Sequence, residues 1–486
     1  MAIATKVTPV IFKISNFESN NNPMKKYLLF ISLIIVPLFV TAQTNVSGNQ
    51  SGTWTAANAP YQVTGHITVP TGQILTIEAG VEVNFQGHYK FNVNGKLIVN
   101  GEEENMVLFT TDDTATGWGG IRFDTVSEIS VFNYCTIEYG KATGDYPDMH
   151  GGAVLLKESD AEFYHCIFQN NQAIGSGDDG MGGAVYAYNT GTETETLTKF
   201  IDCTFENNQS VTEGGAIKFT NDGNTEITRC KFLSNSANYG GGAIMFYSAV
   251  DVHLTNCLFY SNYSNNSGGG AIKTLNPTVS LFFTNCTITS NSAYGAGEGG
   301  AVALDYADAT FVNCIIYDNY QQYGSEINIG MSATATINYC DVDMPDDATG
   351  SNNLDNLNPL FITTGSESFH LQEGSPCINA GVDVGLPYQG TAPEMGCYEY
   401  DETVGIEDYR ADAITMYPNP ANDSVSFDEI ENLEEITIID STGKKIADYS
   451  VDYLSHRINL SRLTTGVYYI QFKTERGTLS KKIIRE

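Results

Sequence analysis

The sequence has few basic side chains and a large excess of acidic ones. Of its 486 residues, 24 are Lys or Arg and 57 are Asp or Glu, which gives a formal net charge of -33 at pH 7. Such a chain repels nucleic acid and anionic membranes, so both are excluded as partners. Between residues 43 and 400 the only arginines are Arg122 and Arg229. A lyase acting on uronates needs a base and a cation beside the substrate carboxylate, and so few arginines disfavour one.

The sequence also lacks the short motifs of common enzyme and metal sites. No CxxC, HExxH, GxSxG or phosphate-binding loop is present. His150, His165 and His253 fall at unrelated positions of the repeat described below, so they predict no metal constellation. Solvated strand faces and loops account for the remaining charged side chains more simply than catalysis does, and no catalytic residue is assigned. The enzyme candidates weighed in this way are Lys218, Lys273, Asp222, Asp305 and Asp308.

No apolar run in the chain is long enough to span a bilayer comfortably. The longest, residues 28–40, has thirteen residues and follows Lys25 and Lys26. The small residues that end at Ala42 are typical of a cleavage site, so residues 24–42 predict an export signal peptide. Met24 is then the expected start of translation, and residues 1–23 are interpreted as an over-extended reading frame.

A repeated phrase organises the middle of the chain. It is most legible as GGAIMFYSAVDVHLTNCLFYSN, residues 241–262. The frame begins with Gly-Gly-Ala and continues to a Cys, which is followed by Phe or Ile two residues later and by Asn five residues later. The cysteines are Cys166, Cys203, Cys230, Cys257, Cys286 and Cys314. The asparagines are Asn171, Asn208, Asn235, Asn262, Asn291 and Asn319.

The spacing of this frame predicts a solenoid. Corresponding positions recur every 26 to 37 residues, a period typical of stacked repeats that are too small to bury a core alone. Within the repeat, β-branched and aromatic residues alternate, as at Val250, Val252 and Leu254, which is strand periodicity. Strands of successive coils should therefore lie parallel and about 4.8 Å apart, with equivalent side chains stacked in ladders.

Three residue types have expected places in this stack. The repeat cysteines, with Cys135 and Cys340 added, should form a buried row of reduced thiols, since parallel in-register side chains rarely reach disulfide geometry. A stacked Asn at a corner can bond to the Asn above and below it, and Asn tolerates left-handed backbone. The Gly pair suits a tight bend. Cys377 and Cys397 lie outside the row and remain available to pair with each other.

The phrases GGAI or GGAV followed by FxxN, as in Phe168 to Asn171 and Phe259 to Asn262, resemble the repeat of chlamydial polymorphic outer-membrane proteins. More broadly, roughly two thirds of the chain resembles the right-handed parallel β-helix, or pectin-lyase-like, superfamily. The resemblance implies an all-β chain with a right-handed parallel β-helix solenoid at residues 43–400. Its expected parts are N-terminal coils at 60–119, repeats at 120–340 and a C-terminal coil and cap at 341–400, of which Phe369 to Tyr400 resembles the closing segment of bacterial surface β-helix proteins.

The last part of the chain has a different pattern. Residues 401–412 are acidic and lack strand periodicity, which predicts a linker. Beyond it, the Pro418-Asn419-Pro420 motif, the turn from Asp440 to Gly443 and the segment around Gly466 resemble the type A C-terminal sorting domain of the type IX secretion system. The resemblance implies that residues 413–486 form a small β-sandwich-like domain which binds the type IX secretion machinery. It also implies release from the cell or attachment to the outer-membrane surface.

Calcium is the one candidate ion, and no other cofactor is predicted. Hard cations take carboxylate and carbonyl oxygens, and the chain offers two acidic clusters. Plain acidic loops are the simpler explanation of both clusters. Their members are Asp178 and Asp179, and then Asp341, Asp343, Asp346 and Asp347.

The leading functional hypothesis is adhesion or glycan binding without catalysis, by a monomeric protein that is secreted or held at the cell surface. Aromatic rings stack well on sugars, and many tyrosines lie in or beside loops. These are Tyr188, Tyr239, Tyr260, Tyr263, Tyr294, Tyr320 and Tyr323. The alternatives are a polysaccharide lyase or glycoside hydrolase of the pectin-lyase-like superfamily, and a structural surface stalk.

Overall fold

The structure is a computed structural model that describes most of the chain from Gln43 onward. The described residues are 43–175, 177, 179–189, 198–222, 225–249, 251–276, 279–295, 299–322, 324–362, 368–400, 416–417, 419–427, 433–440, 445–449, 457–474 and 477–485. The predicted signal peptide, the linker, Asp178 and Tyr323 lie outside them. Among the described residues, no helix has the length and apolar character needed to cross a membrane.

Each coil of the solenoid contains up to four short strands in a fixed order. The coil drawn from the repeat quoted above has Ile244–Ala249, Asp251–Thr255, Leu258–Tyr260 and Tyr263–Ser264. Each strand pairs in parallel with the equivalent strand of the coils before and after it, as Phe232 does with Phe259. Successive coils therefore build four parallel sheets, named here sheets 1 to 4 in the order in which a coil visits them.

Sheets 1 and 2 hold the strands that follow the Gly-Gly-Ala motif. Sheet 1 contains Phe91–Val93, Ile121–Asp124, Val154–Lys157, Val185–Tyr188, Ile217–Asp222, Ile244–Ala249, Ile272–Thr274, Val302–Leu304 and Ile327–Ile329. Sheet 2 contains Gly52–Trp54, Ile74–Glu78, Lys96–Asn100, Ser130–Asn133, Ala161–Tyr164, Lys199–Ile201, Thr225–Thr228, Asp251–Thr255, Val279–Thr284, Ala307–Val312 and Thr334–Asn338.

Sheets 3 and 4 hold the strands around the cysteine and after the asparagine. Sheet 3 contains Glu82–Phe85, Val107–Thr110, Cys135–Glu138, Ile167–Gln169, Thr204–Glu206, Lys231–Leu233, Leu258–Tyr260, Thr287–Thr289, Ile315–Tyr317, Asp341–Val342 and Leu354–Asp355. Sheet 4 contains Lys141–Ala142, Gln172–Ala173, Gln209–Ser210, Ser236–Ala237, Tyr263–Ser264, Ser292–Ala293 and Tyr320–Gln321.

The first coil closes the N-terminal end of the stack. Its strands Thr44–Asn49 and Tyr61–Val69 run across sheets 1 and 3 and join them, and a 3-10 turn, Ala56–Asn58, lies between them. The Trp54 ring stacks on that of Tyr61 at 4.5 Å between ring centroids. The described chain thus forms a parallel solenoid of about nine turns without α-helices, which confirms the predicted all-β fold.

The interior is built of side-chain ladders because equivalent residues meet in register. Phe168, Phe205, Phe232 and Phe259 stack with centroids 4.7 to 4.9 Å apart, and Ile288 and Ile316 continue the row. These side chains are fully buried. Each ring buries a large apolar area against the next coil, which gives a favourable free energy for every coil added to the stack.

The cysteines lie in a buried column beside the aromatic ladder. All ten cysteines of the chain are free thiols, including Cys377 and Cys397. Cys135 and Cys166 have their sulfur atoms 3.4 Å apart, well beyond a disulfide bond length. The Cys257 thiol donates to the carbonyls of Ile227 and Thr255, both at 3.3 Å. Burial raises the pKa of the Cys135, Cys203, Cys286 and Cys340 thiols, which favours their protonated form.

The asparagines form a second buried column at the corner between sheets 3 and 4. Asn262 Oδ1 accepts hydrogen bonds from the main-chain N–H and Nδ2 of Asn235, both at 3.0 Å. Asn262 Nδ2 in turn donates to the Phe232 carbonyl at 2.8 Å and to Asn291 Oδ1 at 2.9 Å. The same pattern joins Asn171 through Asn319, so every amide in the column satisfies its neighbours. At the end of the column Glu326 takes the place of an Asn and accepts from Asn319 N at 2.7 Å.

The Gly pair forms the opposite corner, between sheets 4 and 1. Gly241 has φ +60°, and a side chain on Gly242 would place its Cβ 2.1 Å from the Gly270 carbonyl oxygen of the next coil. Coils approach each other too closely here for any residue with a Cβ. The Gly and Asn corners together hold the short strands of sheet 4 in place.

Residues 368–400, named here the C-terminal strap, lie along the outer face of sheet 3 and form no further coil. The main-chain N–H of Cys397 donates to Thr287 Oγ1 at 3.0 Å, and that of Gly396 donates to the Asn313 carbonyl at 2.8 Å. The strap buries Ile315 with Leu371, Cys377 and Met395. The prediction of a closing coil at these residues therefore needs correction. The outward face of sheet 3 is apolar at Ile315, and the strap covers it.

The C-terminal domain consists of two antiparallel sheets. One contains Met416–Tyr417, Ser424–Phe427 and Arg457–Asn459, and the other contains Leu433–Asp440, Lys445–Tyr449, Gly466–Thr474 and Gly477–Arg485. Val425, Ile438, Ile470 and Phe472 are among the buried residues of its core. This arrangement agrees with the expected small β domain.

Candidate functional site

The outward face of sheet 4 is a continuous strip of uncharged polar and aromatic side chains. In the first six two-residue strands the first side chain points out and the second is buried, as with Tyr263 and Ser264, while in the last strand Gln321 is half-buried. The outward row starts at Lys141 and then carries no charge. It continues with Gln172, Gln209, Ser236, Tyr263, Ser292 and Tyr320.

Three tyrosines of this strip contact each other across successive coils. The ring centroids of Tyr263 and Tyr294 are 5.6 Å apart, and those of Tyr294 and Tyr320 are 5.3 Å apart. Tyr294 and Tyr320 are 43% and 52% exposed, so their rings form an open aromatic surface. Aromatic side chains at such exposure expose apolar area without a partner inside the protein. These three residues are named here the tyrosine column.

The turns beside the strip carry amides and hydroxyls. The residue just before each ladder asparagine has a positive φ between +54° and +58°, which directs the turn outward. These turn residues are Asn170, Asn207, Ser234, Ser261 and Ser290, followed at the last ladder asparagine by the charged Asp318. On the other side, Asn265 accepts a hydrogen bond from the Tyr263 hydroxyl at 2.8 Å. At the N-terminal end the strip opens into a cavity of about 250 Å³ lined by Tyr139, Lys141, Gln172 and their neighbours.

The outward face of sheet 1 is built differently. Its first outward row is buried, although it contains Arg122, Tyr186, Lys218 and Lys273, at 4–6% exposure. The loop that contains His150 folds over the part of this row around Arg122 and Tyr186. Arg122 donates to the carbonyls of Gly119, His150 and Gly151 at 2.6 to 2.8 Å. Burial lowers the Arg122 pKa to about 10, and the guanidinium holds the loop in place.

Aromatic rings cluster over this row. The His150 ring lies 4.6 Å from that of Tyr186, and Tyr146 lies 5.8 Å from His150 and 6.3 Å from Tyr188. Burial, with the positive charges of Lys218 and Arg122, lowers the His150 pKa to about 4, so the imidazole is neutral at physiological pH. Burial also raises the Tyr146 pKa to about 12. None of these pKa values favours a general base near neutral pH.

The charged groups at the open end of the sheet 1 face are paired within the protein. A cavity of about 270 Å³ is lined by Arg122, Asp124, Asp148 and Lys157, among others. Lys157 bonds to Asp124 at 2.9 Å, and Lys90 bonds to Asp148 at 2.5 Å. Deeper along the face, Lys218 is paired with Glu213. Each lysine named here therefore has a carboxylate partner already.

The sequence-based enzyme candidates do not converge on one cleft. Asp305 accepts a hydrogen bond from the Met331 N–H at 3.2 Å, in the turn after sheet 1. Asp308 lies on a strand of sheet 2 and bonds to Thr334 at 2.5 Å. The side chain of Asp222 is outside the described part of the chain.

The acidic calcium candidates lie in three separate places. Asp341 is fully buried, where its carboxylate accepts from the Leu357 N–H at 2.8 Å and from the Cys377 thiol at 3.6 Å. Asp343, Asp346 and Asp347 are exposed around an open depression of about 440 Å³. Asp179 is exposed on its own loop. Within the described ranges, no three His, Cys, Asp or Glu side chains are grouped so as to hold a metal ion.

The other tyrosines named from the sequence have varied surroundings. Tyr188 belongs to the sheet 1 cluster, and Tyr260 contacts Phe369 of the strap at 4.6 Å. Tyr239 is 52% exposed beside sheet 4. Sequence reasoning missed the amides of the strip and the burial of Arg122, Lys218 and Lys273. The amides had a detectable signal, because Gln172 and Gln209 lie one residue after ladder asparagines.

Two family models match the chain. Residues 120–298 match the model described as a right handed beta helix region, and residues 415–486 match the model described as a secretion system C-terminal sorting domain. This chain is a right-handed β-helix protein with a type IX secretion sorting domain. The sorting domain supports secretion or attachment at the cell surface, by way of the type IX machinery.

The remaining comparisons add less about this β-helix protein. No curated protein matches its sequence. Among solved structures, "Crystal structure of pectate lyase Pel9A" is similar at 14% identity, with 73% of this chain and 87% of that chain covered and a TM-score of 0.33. That TM-score is too low for the likeness to indicate what this chain binds or does.

Proposed function

We propose that this β-helix protein binds glycans outside the cell, as a monomeric adhesin or glycan-binding protein without catalytic activity. The tyrosine column carries the proposal. Tyr263, Tyr294 and Tyr320 present adjacent rings on sheet 4, of which those of Tyr294 and Tyr320 are about half exposed, and the apolar faces of sugar rings stack on such surfaces. The sorting domain supports the extracellular location that this function requires.

The rigidity of the surface favours binding. The Asn column beneath the strip is fully hydrogen-bonded, so the tyrosines sit on backbone that does not need to be ordered by the ligand. A preorganised surface loses little conformational entropy on association.

A polysaccharide lyase or glycoside hydrolase is the second candidate function. The mixed-charge cavity beside Arg122 and Lys157 on sheet 1 favours it. The pairing of Lys157 with Asp124, and the backbone hydrogen bonds of Arg122, count against it, because a catalytic base or cation has to be free for substrate.

The test uses the purified full-length chain with a panel of neutral and uronic-acid polysaccharides, with and without calcium. Affinity electrophoresis measures retention, while reducing-end and unsaturated-product assays on the same mixtures measure turnover. We expect retention by at least one polysaccharide and no product. Turnover would establish the enzyme instead, and neither retention nor turnover would favour a structural stalk.

A further inference from the structure

We propose that the glycan is an uncharged linear polysaccharide which lies along the sheet 4 strip, parallel to the solenoid axis. This inference rests on the proposed glycan-binding function and specifies the class of ligand and its path on the protein. It is carried by the charge pattern of the strip, its hydrogen-bonding groups and its spacing.

The charge pattern excludes an acidic polymer from the strip. The chain has a net charge of -33, yet the outward row from Gln172 to Tyr320 and the turn row from Asn170 to Ser290 contain no charged side chain. Lys141 lies at one end of the strip and Asp318 at the other. A uronic-acid polymer would meet the repulsion of the whole protein and find no cation between these ends. A neutral polymer incurs no such repulsion.

The hydrogen-bonding groups suit hydroxyl-rich ligands. Amides and hydroxyls both donate and accept, as a sugar hydroxyl does, and the strip repeats them once per coil at Gln172, Gln209 and Ser236. The second half of the strip replaces them with rings at Tyr263, Tyr294 and Tyr320. In such a surface the polar groups can hydrogen-bond to the hydroxyls at the edge of a sugar ring, while the aromatic rings stack on its apolar face.

The spacing of the strip suits an extended ligand. Neighbouring coils lie ~4.8 Å apart, so the seven coils from Lys141 to Tyr320 span about 29 Å along the axis. A pyranose ring is about as long as one coil step, so each sugar of an extended chain can meet the same rows of side chains. A polymer can therefore lie across many coils, whereas a single sugar contacts one or two.

The inference is tested by comparing ligands and variants of the full-length chain. Binding of neutral linear oligosaccharides of increasing length is measured by titration calorimetry, alongside the neutral and uronic-acid polymers from which they derive. The variants are Tyr294→Ala, Tyr320→Ala and the double variant, each checked for an unchanged melting temperature. Tyr388→Ala on the strap, an exposed tyrosine away from the strip, is the matched control.

We expect affinity for neutral chains to rise with length until the strip is filled, and each column variant to bind about tenfold more weakly. Ser292→Asp, which places a negative charge in the middle of the strip, should weaken any residual binding of uronic polymers by a larger factor than it weakens the binding of neutral chains. Tyr388→Ala should bind as the parent does.

Three outcomes would overturn the inference. Tighter binding of uronic than of neutral polymers would contradict the charge argument. Full binding by the double variant, with loss in Tyr146→Ala, would place the ligand on sheet 1 and leave the proposed function intact. Failure of every polysaccharide to bind would overturn the proposed function and this inference together.

Discussion

The outward faces of sheet 1 and sheet 4 lie side by side in every repeat, yet their polar groups are used in opposite ways. On sheet 1, Arg122 and Lys218 are buried and satisfied by carbonyls or a carboxylate of the protein. On sheet 4, Gln209 and Tyr320 point into solvent. Polar groups that hydrogen-bond within the protein stabilise its fold, while exposed polar groups without such bonds remain available to a ligand. The comparison teaches that charged residues in the sequence do not by themselves show which face of this solenoid is open to solvent.

The difference arises from what covers each sheet. Residues before the Gly pair fold over sheet 1, and the C-terminal strap folds over sheet 3. Sheet 4 has strands of only two residues, which leave from the Asn corner and turn away at once. Its outward row remains uncovered as a result, and the Asn column below fixes its position.

The largest effect is expected from breaking the support under sheet 4. Asn262→Ala removes the acceptor for two donors of Asn235. It also removes the Nδ2 donor to the Phe232 carbonyl and to Asn291 Oδ1, although Asn291 Oδ1 keeps its hydrogen bond from the main-chain N–H of residue 262. Unsatisfied buried groups cost about 1–3 kcal/mol each, so we expect a loss of roughly 3–5 kcal/mol in the free energy of unfolding. Chemical denaturation measures it. Asn265→Ala, at an exposed position in the next turn, is the control and should change stability by less than about 1 kcal/mol.

A smaller loss of stability is expected when a buried side chain of sheet 1 is replaced, and glycan binding on sheet 4 should not change. Arg122→Met keeps much of the side-chain volume but removes three hydrogen bonds to carbonyls. We expect about 2 kcal/mol of destabilisation, since relief of a buried charge offsets part of the loss. Glycan binding should be unchanged under conditions where the variant is folded. Loss of binding with normal stability would instead move the functional site to sheet 1.

An effect of similar size, present only at high pH, is expected at the end of the Asn column. Burial raises the Glu326 pKa to about 7, above its ordinary value near 4.3, so the folded state holds the proton more tightly. The stability from this group is complete below about pH 4 and is lost as the pH rises through 7. Glu326→Gln should therefore be more stable than the parent at pH 8, by on the order of 2 kcal/mol, and similar to it near pH 4.

His150, on the sheet 1 face, gives the free energy of unfolding the opposite dependence on pH in the same experiment. Burial lowers the His150 pKa to about 4, so its contribution is present above about pH 6.5 and is lost as the pH falls through 4. The Glu326→Gln variant should still lose thermal stability as the pH falls through 4, because His150 is unchanged in it. A parent and variant whose stabilities differ by the same amount at pH 4 and pH 8 would contradict the assignment to Glu326.

Much of the fold could be predicted because its signals are periodic. The fixed interval from cysteine to Asn262 and its equivalents reflects packing between coils, which has to be in register. Lys218 shows where prediction failed. A solvated strand face was the expected place of its side chain, yet the side chain is buried and paired with Glu213, which comes from the residues before the Gly pair. The prediction of a closing coil in place of the strap failed for a related reason, since the contacts of the strap with Thr287 and Ile315 join residues far apart in the chain.

The sequence by itself determined the solenoid, the contents of its ladders and the sorting domain, because each depends on local spacing and residue type. Tertiary structure decided which face stays open. The coverage of sheet 1 by loops, the docking of the strap on sheet 3 and the contact between Tyr294 and Tyr320 all depend on which coils lie side by side. These contacts join residues from different coils. Which residues meet depends on the length of every insertion between those coils, so no single stretch of sequence shows the contacts.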